Sequence, residues 1–306
     1  MKLKIRLLAT ATFAALASAP SPVAAQAFTP PKGLGAVTVF WQYVDNTGHR
    51  LSDGYLLARG QSVTTSAAAE LEYGVTDRFS ASLGIPYVFA KYTGAMPPPS
   101  QLPVDACGCW HSSFQDFSLV ARYRFGNSAW AVTPLVRYGR PSHDYLHRGE
   151  AVVGRDLQEA QLGVSGGVKL AFLPLASVFA TYTYAFVEQP LKDVSINRSN
   201  GFLELGYALS RRFYLRGTGT WQRTHGGLRI GSLTGNPFPL PGELNTPERF
   251  AQLDRVLRAN YWQVGGGLAY SAGPVDLFAS MTKYVWGRNA HNGQAYTLGT
   301  TWYFER

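Results

Sequence analysis

Ten charged side chains lie within stretches whose apolar residues recur at every second position, and all ten fall on the opposite parity. Glu70 and Glu72 alternate with Ala67, Ala69 and Leu71. Asp116, Arg122 and Arg124 alternate with Phe117, Leu119 and Tyr123. Arg137 alternates with Val136 and Tyr138, and Glu159 and Lys169 with Leu162, Val164 and Val168. Glu204 lies between Leu203 and Leu205, and Arg216 beside Leu215. A period of two is the signature of a β-strand. A slip of one residue would turn every charge onto the apolar face. Facing hydrocarbon, a Lys or Arg costs about 2–4 kcal/mol at the midplane. The apolar faces are therefore expected to meet lipid, and the polar faces to line a lumen. On this reading Leu205→Arg is costly, whereas Glu204→Arg, in a polar interior, is tolerated.

Twelve such stretches can be laid out, at roughly 36–44, 62–73, 79–90, 115–125, 130–139, 157–170, 175–187, 200–209, 213–223, 259–270, 275–286 and 294–304. A spanning strand needs about 9–11 residues, whereas soluble strands usually have about 5–6. Short turns at 74–78, 126–129, 171–174, 210–212 and 271–274 alternate with longer loops at 45–61, 91–114, 140–156, 188–199, 224–258 and 287–293. That asymmetry, with an even strand number, is the plan of an outer-membrane barrel with both termini on the short-turn side. The expected fold is all-β: an antiparallel, up-and-down transmembrane β-barrel of about twelve strands. Charged residues make up 15% of the chain, against about 25% in soluble domains. Tyr and Trp gather near strand ends, as in interfacial girdles. In strand eleven Lys283 shares the apolar parity, near the long-loop rim where its cost is small.

The N-terminus carries Lys2, Lys4 and Arg6, then the apolar run Leu7–Ala17 and the small residues Val23–Ala25. This is the pattern of a secretory signal. The expected division is a signal peptide at 1–25 and a barrel at 26–306. Its removal lowers the formal charge from +9 to about +6, and no Lys/Arg run points to nucleic acid. The uncharged stretch Leu170–Val187 is interrupted by Pro174 and alternates like two strands, not one spanning helix.

Three segments resemble a known family. Glu72-Tyr73-Gly74-Val75-Thr76-Asp77-Arg78, Gly84-Ile85-Pro86-Tyr87 and the strand from Asp116 to Arg124 are similar to motifs of the outer-membrane barrels named for the meta-pathway of phenol degradation. Gln115 stands where that family usually has Gly. The resemblance implies a barrel that passes hydrophobic or aromatic compounds across the outer membrane of a Gram-negative-type bacterium, and it carries over no binding residues. The last strand, with Tyr296, Leu298, Trp302 and Phe304, looks like the terminal strand read by barrel assembly machinery, although Glu305 and Arg306 follow the aromatic.

The chemistry legible in the loops is sparse. The ten lumen charges suit either a salt-bridge network filling a narrow barrel or a constriction that selects solutes. Cys107 and Cys109 share one loop with His111; a disulfide, an intermolecular bond, a metal and free thiols all stay open, and two Cys with one His make an incomplete zinc set. No cofactor or metal is implied. All six His fall in expected loops, and His111 with Ser113 gives only a superficial His-x-Ser pair, so no enzyme is expected. In the fifth loop Thr246, Pro247 and Glu248 open a short helix whose Phe250, Leu253 and Leu257 share one face, as a gate or as loop packing. The expected role is a channel or carrier for passive passage of small solutes, hydrophobic or aromatic ones among them. The alternative is a structural or surface-interaction barrel whose lumen is closed by salt bridges and whose loops bind a partner or lipopolysaccharide.

Overall fold

The computed structural model describes residues 27–58, 60–94, 103–170, 173, 175–231 and 243–305. The expected signal peptide and most of the Pro/Gly-rich stretch before Leu244 lie outside these residues. The spanning strands are β1 (Leu34–Arg50), β2 (Gln61–Gly74), β3 (Phe79–Thr93), β4 (Asp116–Tyr123), β5 (Trp130–Pro141) and β6 (Glu159–Lys169). They continue as β7 (Ala176–Val187), β8 (Arg198–Ala208), β9 (Phe213–Thr224), β10 (Asn260–Ala272), β11 (Val275–Arg288) and β12 (Ala290–Glu305). Each pairs antiparallel with its sequence neighbours, and β12 closes on β1 from Leu34↔Glu305 to Arg50↔Ala290. The result is a closed twelve-stranded antiparallel β-barrel. Closure leaves no sheet edge, which a strand surrounded by lipid requires.

Tight turns at one end are held by side chains that stand in for backbone acceptors. Thr76 Oγ1 accepts from the Phe79 amide at 2.9 Å, Asn127 Oδ1 from the Ala129 amide at 2.8 Å, and Ser210 Oγ from the Phe213 amide at 3.1 Å. The expected continuous fourth strand is instead broken at Gln115 and Arg124, with short pieces His111–Phe114 and Phe125–Gly126 flanking β4. Both breaks stay tethered, Gln115 N to Pro86 O at 3.0 Å and Arg124 N to Arg78 O at 2.7 Å.

The sixth long loop expected at 287–293 is not a loop. The strands run on to Arg288 and resume at Ala290, leaving only Asn289, whose φ of 48° lies in the left-handed region. Asn tolerates that conformation better than most residues. Its side chain also accepts from Ile230 N at 2.9 Å and donates to Arg258 O at 3.2 Å. Above Lys283↔Gln294 the two strands part: β11 keeps pairing with β10, and β12 with β1.

The outward face is apolar. Val39, Leu83, Leu119, Leu205, Leu277 and Leu298 are all exposed there. Aromatic tiers flank this band, with Tyr123, Tyr207 and Trp302 toward the tight turns and Trp41, Tyr138 and Trp262 toward the loops. Ring contacts within the tiers include Tyr87–Phe114 at 4.9 Å and Trp221–Trp262 at 6.2 Å.

Candidate functional site: the barrel lumen and its mouth

The inward residues alternate with that apolar face and are packed. Glu72 pairs with Arg122 at 2.8 Å and accepts from Ser80 Oγ at 3.0 Å. Glu70 lies on the same inward parity of β2, half-buried. Glu204 is fully buried 3.9 Å from the Arg216 guanidinium, which also lies 5.8 Å from the Phe278 ring centroid. Glu159 forms an ion pair with Arg198. Asp116 accepts from Tyr145 Oη at 2.5 Å, a loop contact. Arg124 reaches a tight turn and donates to Asp77 O at 3.0 Å. Arg137 and Lys169 are exposed, Lys169 with its ammonium 5.9 Å from the Phe28 ring. Three opposite-charge pairs thus account for Glu72, Arg122, Glu159, Glu204 and Arg216.

Arg198 belongs to this set although it lies before the eighth expected stretch, 200–209; the strand begins at Arg198. Buried Asp276 is also absent from the expected ten; it accepts from Ser271 Oγ at 2.6 Å and Tyr303 Oη at 2.9 Å.

Among the described residues, two cavities lie between these layers of the lumen. One, of about 340 Å³, is lined by Arg137, Gln161, Thr181, Asn200 and Phe202 among others. The second, of about 300 Å³, is lined by Asp116, Arg155 and Tyr261 among others. Glu159, Arg198 and Gln222 line both, so the Glu159–Arg198 pair forms a waist between two polar chambers.

Both ends are narrowed by chain. On the tight-turn side Ala27 and Phe28 enter the barrel: Thr133 Oγ1 donates to Ala27 O at 2.6 Å, and the Phe28 ring meets Phe179 edge-on at 6.0 Å. Ala27, Ala131 and Phe179 are all buried there. On the loop side the fifth loop folds as two short turns, α1 (Pro247–Ala251) and α2 (Leu253–Val256). Thr246 caps α1 by accepting from Arg249 N at 3.3 Å, with Pro247 in the first turn, as the sequence pattern anticipates. Leu253 and Leu257 pack into a cluster with Ala185, Val187, Ile196 and Leu228. Phe250 is half-buried outside it. Val256, with no accessible surface, joins Leu253 and Leu257 in the cluster instead of Phe250, which the expected helical face included. The helical period continues only to Val256, and the break at Gln252 rotates the face.

The loop between β5 and β6 also packs in the mouth. Tyr145, Ala151 and Val153 pack on the inward Val88, Ala90 and Tyr92 of β3. Asp105, almost fully buried, anchors that loop by accepting from Glu150 N at 2.8 Å and Ala151 N at 3.0 Å. Gly149 is required beside it: its φ is 148°, and a Cβ there would meet the Asp105 carboxylate at 2.9 Å. Burial raises the Asp105 pKa against the pull of its amide donors. Burial likewise pushes Asp254, which accepts from Gly149 N at 2.8 Å, up to about 8. Asp105→Ala is expected to leave two donors without acceptors, at about 1–3 kcal/mol each. Hydrogen exchange at Glu150 and Ala151 should rise accordingly, with a smaller rise for Asp105→Asn, which keeps one acceptor.

Cys107 and Cys109 are joined by a disulfide in the second loop. Ser113 hydrogen-bonds His143 at 3.0 Å, not His111, and behind the ring stands the hydroxyl of Ser142 at 2.8 Å instead of a carboxylate. His49, His111 and His291 lie in strand segments, not in loops as expected.

No protein-family model and no curated protein matches the sequence. Solved structures do match in fold. The COG4313 outer membrane channel from Pseudomonas putida F1 is 13% identical, with a TM-score of 0.70 over 94% of this chain and 100% of that one. The translocator domain of the autotransporter NalP from Neisseria meningitidis is 12% identical, with a TM-score of 0.51 over 89% of each chain. The NanC porin is 9% identical, with a TM-score of 0.50 over 87% of this chain and 98% of that one. The fold of this chain is that of the outer-membrane β-barrels.

Proposed function

We propose that this chain is an outer-membrane channel for the passive passage of small solutes. The observation that carries the reading is the pair of polar chambers meeting at the Glu159–Arg198 waist inside a closed barrel with an apolar exterior. The structural likeness to an outer membrane channel over nearly the whole chain supports it. Cation and anion groups face each other in the lumen, and Phe202 and Tyr261 bring aromatic surface to the two chambers. That lining suits small solutes bearing a polar or anionic group, aromatic acids included, better than bare hydrocarbons. A buried ion pair is costly to separate in place but can exchange partners with a charged solute, which makes the waist a selective step.

The test is planar-bilayer recording of the refolded barrel. Wild type is expected to carry ion current above the lipid baseline. Arg137→Glu, at an exposed lumen position, is expected to move the reversal potential toward cation selectivity. An absence of current, or a reversal potential that ignores Arg137, would favour the closed structural barrel.

A further inference from the structure

A bulge near the loop end of β1 brings two histidines together on the inside of the barrel's closing seam. Below it, inward residues of β1 are even-numbered and pair with odd-numbered residues of β12: Thr38 with Thr301, bonded through their hydroxyls at 2.9 Å, and Gln42 with Thr297 at 3.1 Å. The register then shifts between Asn46 and Gly48, leaving Thr47 as the extra residue. Bulges re-aim the side chains that follow them. His49, which the lower register would point outward, becomes the direct partner of His291 on the inward parity. Their ring centroids are 5.1 Å apart.

The third member comes from the β5–β6 loop. Glu150 Oε2 lies 3.7 Å from His291 Nδ1. Its backbone is fixed on both sides, the amide by Asp105 and the carbonyl by the inward Ser62 hydroxyl at 2.6 Å. One ligand atom from each of His49, Glu150 and His291 lies within 4.8 Å of the others, the group of this kind found among the described residues. Both ring nitrogens of His49 and Nδ1 of His291 are shielded from solvent yet have no hydrogen-bond partner among the described residues.

We propose that His49, Glu150 and His291 form a binding site for a zinc-class divalent cation. Two imidazoles and one carboxylate suit zinc and its first-row neighbours, whereas calcium and magnesium demand mostly oxygen ligands. Bonds of about 2.0–2.2 Å place the donors of a tetrahedral ion roughly 3.4 Å apart, so the three groups must draw in by about an ångström. The side chains of His291 and Glu150 keep 38% and 36% of their surface exposed, which leaves them room to turn while the backbone stays in register. The fourth position would hold water or an anionic group of a solute.

The ion would tie the two seam strands, already paired through their backbones, to the loop whose Tyr145, Ala151 and Val153 pack in the mouth. It is a latch on that loop. The binding site stands independently of the channel reading; the effect on current rests on it.

Cobalt(II) titrated into the refolded barrel without a histidine tag, followed by visible absorption, is the direct test. The expected result is a tetrahedral band saturating at one equivalent and displaced by zinc. Glu150→Gln, His49→Ala and His291→Ala should each weaken binding at least about tenfold, the lower end of what loss of even an outer supporting group costs. Heat-modifiable migration on gels reports folding of each variant, and Glu150→Gln, on a loop, leaves the strand packing untouched. Absence of a saturating band overturns the site, as does binding that survives all three substitutions. In bilayers, zinc should lower the wild-type current and leave that of Glu150→Gln unchanged. Binding without any effect on an otherwise measurable current would overturn the latch while leaving the site. Absence of current in both proteins would instead count against the channel.

Discussion

Leu205→Arg is expected to destabilise the barrel by about 2–4 kcal/mol in folding titrations into lipid vesicles. Leu205 is 56% exposed on the outer surface, one outward position above Tyr207 in the lower aromatic tier and two below Gly201, against which Trp221 of the upper tier packs. It therefore lies inside the apolar band, where the guanidinium has no water within easy reach. The inward neighbour needs a different control from the one parity suggests. Glu204 has no accessible surface and faces Arg216, so Glu204→Arg would press two guanidinium groups together. Removing one member of a buried pair costs about 3–5 kcal/mol, whereas replacing both with apolar residues is often neutral. Glu204→Leu with Arg216→Met is thus the expected mild variant, and either substitution alone the harmful one. If the double variant were as damaging as Leu205→Arg, the assignment of faces on β8 would be wrong.

The difference between the two controls marks where the sequence stops being informative. Parity says which side of a strand a residue faces, because one register slip would move every charge at once. It says nothing of how tightly the inside is filled, which depends on barrel diameter and on contacts between residues such as Asp116 and Tyr145, 29 positions apart. The tight turns were legible because Thr76, Asn127 and Ser210 act within three residues of themselves. The His49–Glu150–His291 group was not. The sequence puts His49 in an expected loop and a long connection at the one-residue turn of Asn289, and a bulge that adds one residue leaves no pattern in a single chain. Arg198 is hidden for a related reason: it opens its strand, two residues before the alternation becomes regular at 200. The helix in the fifth loop was legible from its cap, but its buried face was misread at Phe250 because two short turns do not share one helical period.

Removing both obstructions at once is expected to raise single-channel conductance several-fold, and more than either deletion alone. The loop side is narrowed by a packed cluster around Val256 and Leu257, and the tight-turn side by Ala27 and Phe28 against Phe179. Two constrictions on one path act as resistances in series, so opening the lesser one changes little while the greater remains. Deleting 226–256 behind a short glycine turn keeps the Arg223↔Asn260 pairing that ends β9 and β10, and the backbone pairing that closes the barrel lies outside that loop, although the Ile230 amide at the Asn289 turn is lost. Val187 and Ile196, buried in that cluster, would then face water at the mouth, a cost to stability. Deleting 27–29 removes the Thr133 contact and frees Phe179 to turn. Single-channel recording of wild type, each deletion and the pair separates the contributions: the deletion with the larger effect alone marks the controlling constriction. If all four conduct alike, neither end limits flow and the Glu159–Arg198 waist does. Arg198→Ala with Glu159→Ala should then be the variant that opens the path, since it removes the one ion pair shared by both chambers.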